Sequence, residues 1–369
     1  MSPLRSSLVV VGGLLLGGLT AQAKPKKPYT MIATGLVATP RAPRQIDGDG
    51  RVLGTSHKGR PAIWKGSGKL ASIDLDGDVQ PLGFDGQGGV FGLFKVGGID
   101  HGFLLQEGKL RDLHETGGFR PMSANAKGQL VGFAPQSSDG NLHCALLDGA
   151  ELKDLGALGK GQRLTEACIA TDVNDAGQVV GYTDHQSDGQ HRAFLWTEGK
   201  KTDLGTLGGA WSEALAVNAR GEVVGNSVDA SGQPRAFLWS KGRLRPIKGL
   251  VEAYGIDDAG RVVGVGLRKW EERRFAAVYE RGAVRELAKL IPKTSLELTA
   301  ARAINARGEI VVSVVEGEGE AAARRMALLR PNEAEDAPKG KAREKPGNQS
   351  ERVARASARA AGKAAKRRR

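Results

Sequence analysis

Cysteine is almost absent from this chain. Only Cys144 and Cys168 occur in 369 residues. One pair excludes the dense disulfide framework of small secreted domains. It leaves two readings open, a single bridge or two buried thiols packing as small apolar side chains. Aromatic residues are scarce too, at 5%, so a core must be assembled mainly from aliphatic side chains. No apolar run reaches the roughly 20 residues that a membrane-spanning helix needs. The nucleophile elbow, the phosphate loop, the zinc helix motif and a special pairing of carboxylates are all missing. Any catalytic group would have to be assembled from distant parts of the chain.

What is abundant is glycine, with 53 residues, as expected of many short strands and turns. The net charge is +13, and it is unevenly placed. Residues 1–27 carry Arg5, Lys24, Lys26 and Lys27 and no acid. Residues 331–369 carry 12 cations against 5 acids, which leaves +2 for all of 28–330. The basic character therefore belongs to the ends and does not indicate a basic groove in the middle.

The N-terminus reads as a secretory signal peptide. Arg5 precedes the apolar stretch "LVVVGGLLLGGL" (8–19), and "AQA" (21–23) supplies small residues for cleavage after Ala23. The mature chain would then be exported, to the periplasm, the cell surface or the medium, with no transmembrane segment. At the other end, 331–369 lacks apolar periodicity and reads as a disordered tail. Arg352, Arg355, Arg359, Lys363 and Lys366 share one face if this tail turns helical. Such a face suits an anionic envelope polymer, where bound counterions are released.

Between the two ends one sentence is written seven times. The glycine of "VVG" recurs at Gly54, Gly92, Gly132, Gly181, Gly225 and Gly264, and "EIVVSV" puts Ser313 in its place. The intervals are 38, 40, 49, 44, 39 and 49 residues. A period of that size is one supersecondary unit, stacked because a single unit cannot bury its own apolar faces. Each unit parses into four strands, a to d. In the fifth these are "EALAVN" (213–218), "EVVGNSV" (222–228), "PRAFLWS" (234–240) and "RLRPIKG" (243–249). Asn or Asp followed by Gly three residues later joins a to b, as in 174–177 and 218–221, which is hairpin chemistry. Strand c is apolar on both faces: Ala193 and Leu195 point one way, Phe194 and Trp196 the other. Strand a is rich in alanine and suits a crowded position near an axis. Four-stranded sheets at this period predict an all-β, seven-bladed β-propeller over 24–330. The mature chain opens on a d-like strand and the last copy ends on a c strand. The N-terminal strand is therefore expected to complete the last blade and close the ring.

The words "DLGTLGG" (203–209), "VNDAGQVVGY" (173–182) and "HRAFLW" (191–196) resemble the HAF repeat of extracellular repeat proteins, named for His-Ala-Phe. The match is specific in the fourth and fifth copies and weak in the first, second and seventh. No copy reads His-Ala-Phe without interruption. The resemblance implies export and a repeat architecture, and it brings no activity, cofactor or catalytic residue with it.

Strand order puts the a–b and c–d turns at one end of each unit and the b–c and d–a loops at the other. The second set is longer and more variable, as in 134–143, 183–191, 207–213 and 266–273, and binding residues sit on such loops. Trp211 and Trp270 fall there and are candidates for contacting a sugar or peptide. Arg60, His101, His143, Arg192, Arg235 and Arg325 precede the apolar run of strand c and could form a cationic ring. Asp184, His185, Asp188 and His191 crowd one loop without the spacing of a standard metal site. "DLDGDV" (74–79) begins like a calcium loop and lacks its later ligands. No metal and no cofactor is implied. The expected function is that of a monomeric, non-catalytic binding scaffold for a glycan, peptide or protein. A propeller hydrolase or lyase acting on polysaccharide or peptide, and a purely structural surface repeat, are the competing classes.

Overall fold

The computed structural model describes residues 27–332 except 38–45, 67–69, 74, 76, 136–140, 157–166, 186–189, 269–272 and 318–322. The leader with Ala23, and the tail cations Arg352, Arg355, Arg359, Lys363 and Lys366, lie outside the described residues. So do Asp188, Trp270 and part of the 74–79 segment. The described chain is all-β apart from one 3-10 turn at Leu287–Lys289. No helix among the described residues is long and apolar enough to cross a membrane.

Five repeats each form a four-stranded antiparallel sheet in chain order. In the second these are β5 (Val79–Phe84), β6 (Val90–Val96), β7 (Ile99–Gln106) and β8 (Lys109–Asp112). The third has β9 (Arg120–Ala124), β10 (Leu130–Pro135), β11 (Leu142–Asp148) and β12 (Glu151–Asp154). The fourth has β13 (Cys168–Val173), β14 (Val179–His185), β15 (Gln190–Thr197) and β16 (Lys200–Asp203). The fifth has β17 (Gly208–Val217), β18 (Val223–Asp229), β19 (Pro234–Ser240) and β20 (Arg243–Pro246). The sixth has β21 (Leu250–Ile256), β22 (Val262–Arg268), β23 (Arg273–Glu280) and β24 (Ala283–Glu286). The first and last described strands share a seven-stranded sheet. There β25 (Glu297–Ile304), β26 (Ile310–Glu316) and β27 (Ala323–Pro331) are followed by β1 (Tyr29–Val37), β2 (Val52–Thr55), β3 (Pro61–Trp64) and β4 (Leu70–Ser72). The first strand is antiparallel to the last, with Tyr29 opposite Pro331 and Ala33 opposite Ala327.

The repeated glycine has a steric cause. In the five four-stranded sheets the first strand carries a bulge opposite it: in the fifth repeat Ala214 faces Gly225, Ala216 faces Val224, and Leu215 is the extra residue. The bulge drives a carbonyl toward the second strand. A Cβ on Gly225 would stand 2.0 Å from Glu213 O, and one on Gly132 1.9 Å from Arg120 O. Glycine is the residue that leaves room.

Turn chemistry explains the Asn-x-x-Gly words. Asn218 Oδ1 accepts from the backbone N–H groups of Arg220 and Glu222, while Gly221 takes φ 72°. The same side chain reaches further. Asn125 Nδ2 donates to Asn174 O, Asn174 Nδ2 to Asn218 O, and Asn218 Nδ2 to Asp257 O, at 2.9–3.1 Å. Asn305 Nδ2 donates to Asp47 O at 2.9 Å. One asparagine thus shapes its own turn and ties it to the next repeat.

The core lies between the sheets. Phe194 and Trp196 of β15 pack with Val131, Cys144 and Leu146 of the third repeat. Ala193 and Leu195 pack with Ala214, Val217 and Phe237 of the fifth. Both faces of this strand are therefore buried. Similar clusters join each remaining pair of consecutive repeats. One more joins Leu36, Val52 and Trp64 to Val311, Met326 and Leu328. Cys144 and Cys168 form a disulfide between β11 and β13, and so staple the third repeat to the fourth.

The variable loops are shorter than their composition suggests. Asp184 pairs with His191 and His185 with Gln190, so these residues continue the hairpin of β14 and β15. Trp211, expected in a loop, lies inside β17. Polar residues marked these segments as loops, yet backbone pairing carries a hairpin beyond its apolar stretch whatever the side chains.

Candidate ligand-binding site

The bulge that explains the glycines also builds the site. A bulge leaves its extra residue outside the ladder and re-aims the side chain. The extra residue is Leu82, Met122, Thr171 and Leu215 in the second to fifth repeats, then Tyr254 and Arg302 in the sixth and seventh. A cavity of about 410 Å³ is lined from all seven repeats at the a–b turn end, with Phe84, Val173, Val217 and Ile304 among the residues and Tyr254 at its wall.

A second cavity of about 440 Å³ lies between the sixth and seventh repeats, lined by Tyr254, Val265, Arg273, Arg274, Glu297, Thr299, Ala300 and Arg302. Arg273 begins β23 and Glu297 begins β25. This cavity therefore opens at the end where b–c and d–a connections enter. The Arg302 guanidinium stands 4.9 Å from the centre of the Tyr254 ring, and its Nε donates to Ser313 Oγ at 3.3 Å. In the seventh repeat Val312 faces Ala301 across the bulge as Gly225 faces Ala214, so Val312, and not Ser313 as the sequence words suggest, takes the glycine's place; Ser313, one residue further on, holds Arg302. Tyr254 donates its hydroxyl to Glu252, which also receives Arg274. Arg273 pairs with Glu297 at 2.9 Å. Burial pushes the Tyr254 phenol up to about 12, with the Glu252 hydrogen bond and charge acting in the same direction. The ring therefore stays neutral at physiological pH and serves as a hydrogen-bond donor and a flat face for a cation.

The six residues expected to form a cationic ring are mostly engaged within their own sheets. His101 Nδ1 meets Asp112 Oδ2 at 2.8 Å and stacks on His114 at 4.0 Å. His143 Nδ1 meets Asp154 Oδ2 at 2.9 Å. Burial alone would raise the Asp112 carboxyl, but hydrogen bonds from His101 and the His114 N–H outweigh it and hold it below the usual range. Arg235 pairs with Asp229 at 3.0 Å and Arg325 with Glu316 at 3.3 Å. Arg60 is exposed. Arg192 donates to the carbonyl of Ala210, which brings it beside Trp211, itself half-buried. The rings of Tyr182 and His191 meet edge to face, with centres 5.0 Å apart. Among the described residues no three metal-binding side chains come together.

Tyr254 and Arg302 escaped sequence reasoning. Their signal was present as one aromatic and one cation in "EAYGID" (252–257) and "AARAIN" (300–305), segments that otherwise favour small side chains. The bulge that turns them together was not.

No family model matches the chain, and no curated protein matches it either. Solved structures do. The β-propeller domain of the Trilobed protease from Pyrococcus furiosus is similar at a TM-score of 0.50 and 10% identity, over 83% of this chain and 100% of that one. Acylaminoacyl peptidase from Pyrococcus horikoshii gives 0.48 and 13%, over 80% and 52%. TolB from Acinetobacter baumannii gives 0.40 and 11%, over 82% and 64%. The chain thus spans about half to two thirds of these last two proteins. At such identities the likeness shows the fold alone: the chain is β-propeller-like.

Proposed function

We propose that this chain is an exported, seven-bladed β-propeller of the HAF repeat type, closed by its N-terminal strand, which acts as a non-catalytic binding scaffold. Its ligand occupies the cavity between the sixth and seventh repeats, on the face of the b–c and d–a connections. The observation that carries this reading is the convergence of Tyr254, Arg302, Arg273 and Arg274 on one cavity, from bulges and strand ends of two repeats. An aromatic face and guanidinium groups together suit a glycan or peptide bearing carboxylates. Arg192 and Trp211 would be outlying contacts on the same face. The disulfide supports export, because such bonds persist in oxidising compartments. The pairing of β1 with β27 and the seven clusters between repeats support closure. The basic tail would add attachment to anionic envelope polymers.

The test is binding of the mature chain to a panel of acidic and neutral glycans and peptides. Arg302→Ala should lose about tenfold or more in affinity for the acidic ligand that binds best. Unchanged binding across the panel would remove this cavity as the ligand site.

A further inference from the structure

The outermost strand of the fifth repeat departs from its counterparts. The segment "KGRLRPIK" (241–248) holds Lys241, Arg243, Arg245 and Lys248 and no acid. All four cations are exposed, and among the described residues none has a carboxylate partner. The corresponding strands β8, β12, β16 and β24 end in Asp112, Asp154, Asp203 and Glu286. Three of these acids engage basic side chains of their own repeats: His101, His143 and Arg268. In β20 the same position is Pro246, and Arg235 pairs with Asp229 instead.

The backbone of this edge is defined. A two-residue turn sets Ser240 opposite Arg243, and Ile247 N donates to Ala236 O at 2.9 Å. Hydrogen-bonded pairs therefore fall on Arg243, Arg245 and Ile247, and the backbone groups of Leu244 and Pro246 face outward. Pro246 has no N–H, so only Leu244 offers both a donor and an acceptor. This edge cannot extend the sheet by a whole strand. Leu244 packs into the cluster between the fourth and fifth repeats. Arg243 and Arg245 stand on the opposite face, about 6.8 Å apart along the strand.

We propose that the β20 edge binds an extended acidic peptide segment of a partner protein. Carboxylates at alternate positions of an extended peptide share the same spacing of about 6.8 Å. Each can meet one guanidinium in a two-pronged hydrogen bond. The Leu244 backbone closes one further pair with the peptide, which a polysaccharide has no amide to match. Lys241 and Lys248 flank the two ends. This surface is independent of the cavity described above.

Fluorescence anisotropy with the full chain tests it. The probes are a heptapeptide with glutamate at alternate positions, a heptapeptide of equal charge with its glutamates contiguous, and oligogalacturonate. The alternating peptide should bind tightest. Arg243→Gln and Arg245→Gln should each weaken it by about tenfold, with the melting temperature unchanged because both side chains are exposed. Pro246→Asp, which restores the acid of the other repeats, should weaken it likewise. Lys200→Gln on β16 should leave it unchanged. Equal binding of the contiguous peptide, equal or tighter binding of oligogalacturonate, or indifference to both arginine substitutions would overturn the proposal.

Discussion

At the scale of the residue, two kinds of side chain matter most, one absent and one displaced. Gly225 has no space for a Cβ because the Glu213 carbonyl already lies 2.0 Å from that point. Gly225→Ala must push two paired strands apart, and backbone yields less readily than a flexible side chain. The expected loss is about 3 kcal/mol, at the upper end of what overpacking costs, read as a shift of the chemical denaturation midpoint. Tyr254 is the displaced residue. Its phenol is pushed up to about 12, first by burial and then by Glu252, against an ordinary value near 10. A folded value above the unfolded one means that the proton stabilises the fold. That contribution is fully present below about pH 10 and disappears as pH rises toward 12. Absorbance at alkaline pH should show one of the tyrosines ionising late, and Tyr254→Phe should delete that step while reducing the loss of stability over the same window.

At the scale of the element, the sheets are joined by apolar clusters, by asparagine side chains and by one covalent link. The Cys144–Cys168 bridge closes a loop with a sequence separation of 24 residues between adjacent sheets. Constraining the unfolded chain over such a loop contributes about 3.5 kcal/mol. Cys144→Ser together with Cys168→Ser should lower the denaturation midpoint accordingly, and reductant should reproduce the effect in the parent chain. If reductant leaves the midpoint unchanged, the two thiols are merely packed against one another. The hairpins themselves were largely legible. Asn174 and Gly177, or Asn218 and Gly221, mark turns by their own backbone preferences. Strand ends were less so, because Asp184 and His185 are held by the ladder and not by their own propensity.

At the scale of the whole molecule, the first and last described strands meet. β1 supplies the strand beside β27 and buries Tyr29 against Leu298, Leu329 and their neighbours. Deleting residues 27–33 should cost about 3 kcal/mol or more in lost apolar burial and leave β27 as an open edge. Thermal unfolding and light scattering would then report a lower transition and aggregation, with recovery on adding a peptide spanning 27–37. A truncated chain that melts like the parent would sink the proposed closure of the ring.

The repeat, its four strands, the turns between them and the double-sided burial of "AFLW" (193–196) were all legible along the chain. Each depends on local periodicity, on backbone preferences a few residues apart, or on the glycine a turn requires. The sequence by itself also restricted any disulfide to one pair without deciding whether the pair is bonded. Tertiary structure decided what converges. Tyr254 and Arg302 belong to different repeats and meet because a bulge in each strand turns both toward one cavity. The candidate residues His101, His143 and Arg235 instead meet carboxylates of their own sheets. Bulges arise from the register between two strands and cavities from the packing of several sheets. Neither is a property of a contiguous segment, so neither can be read along the chain.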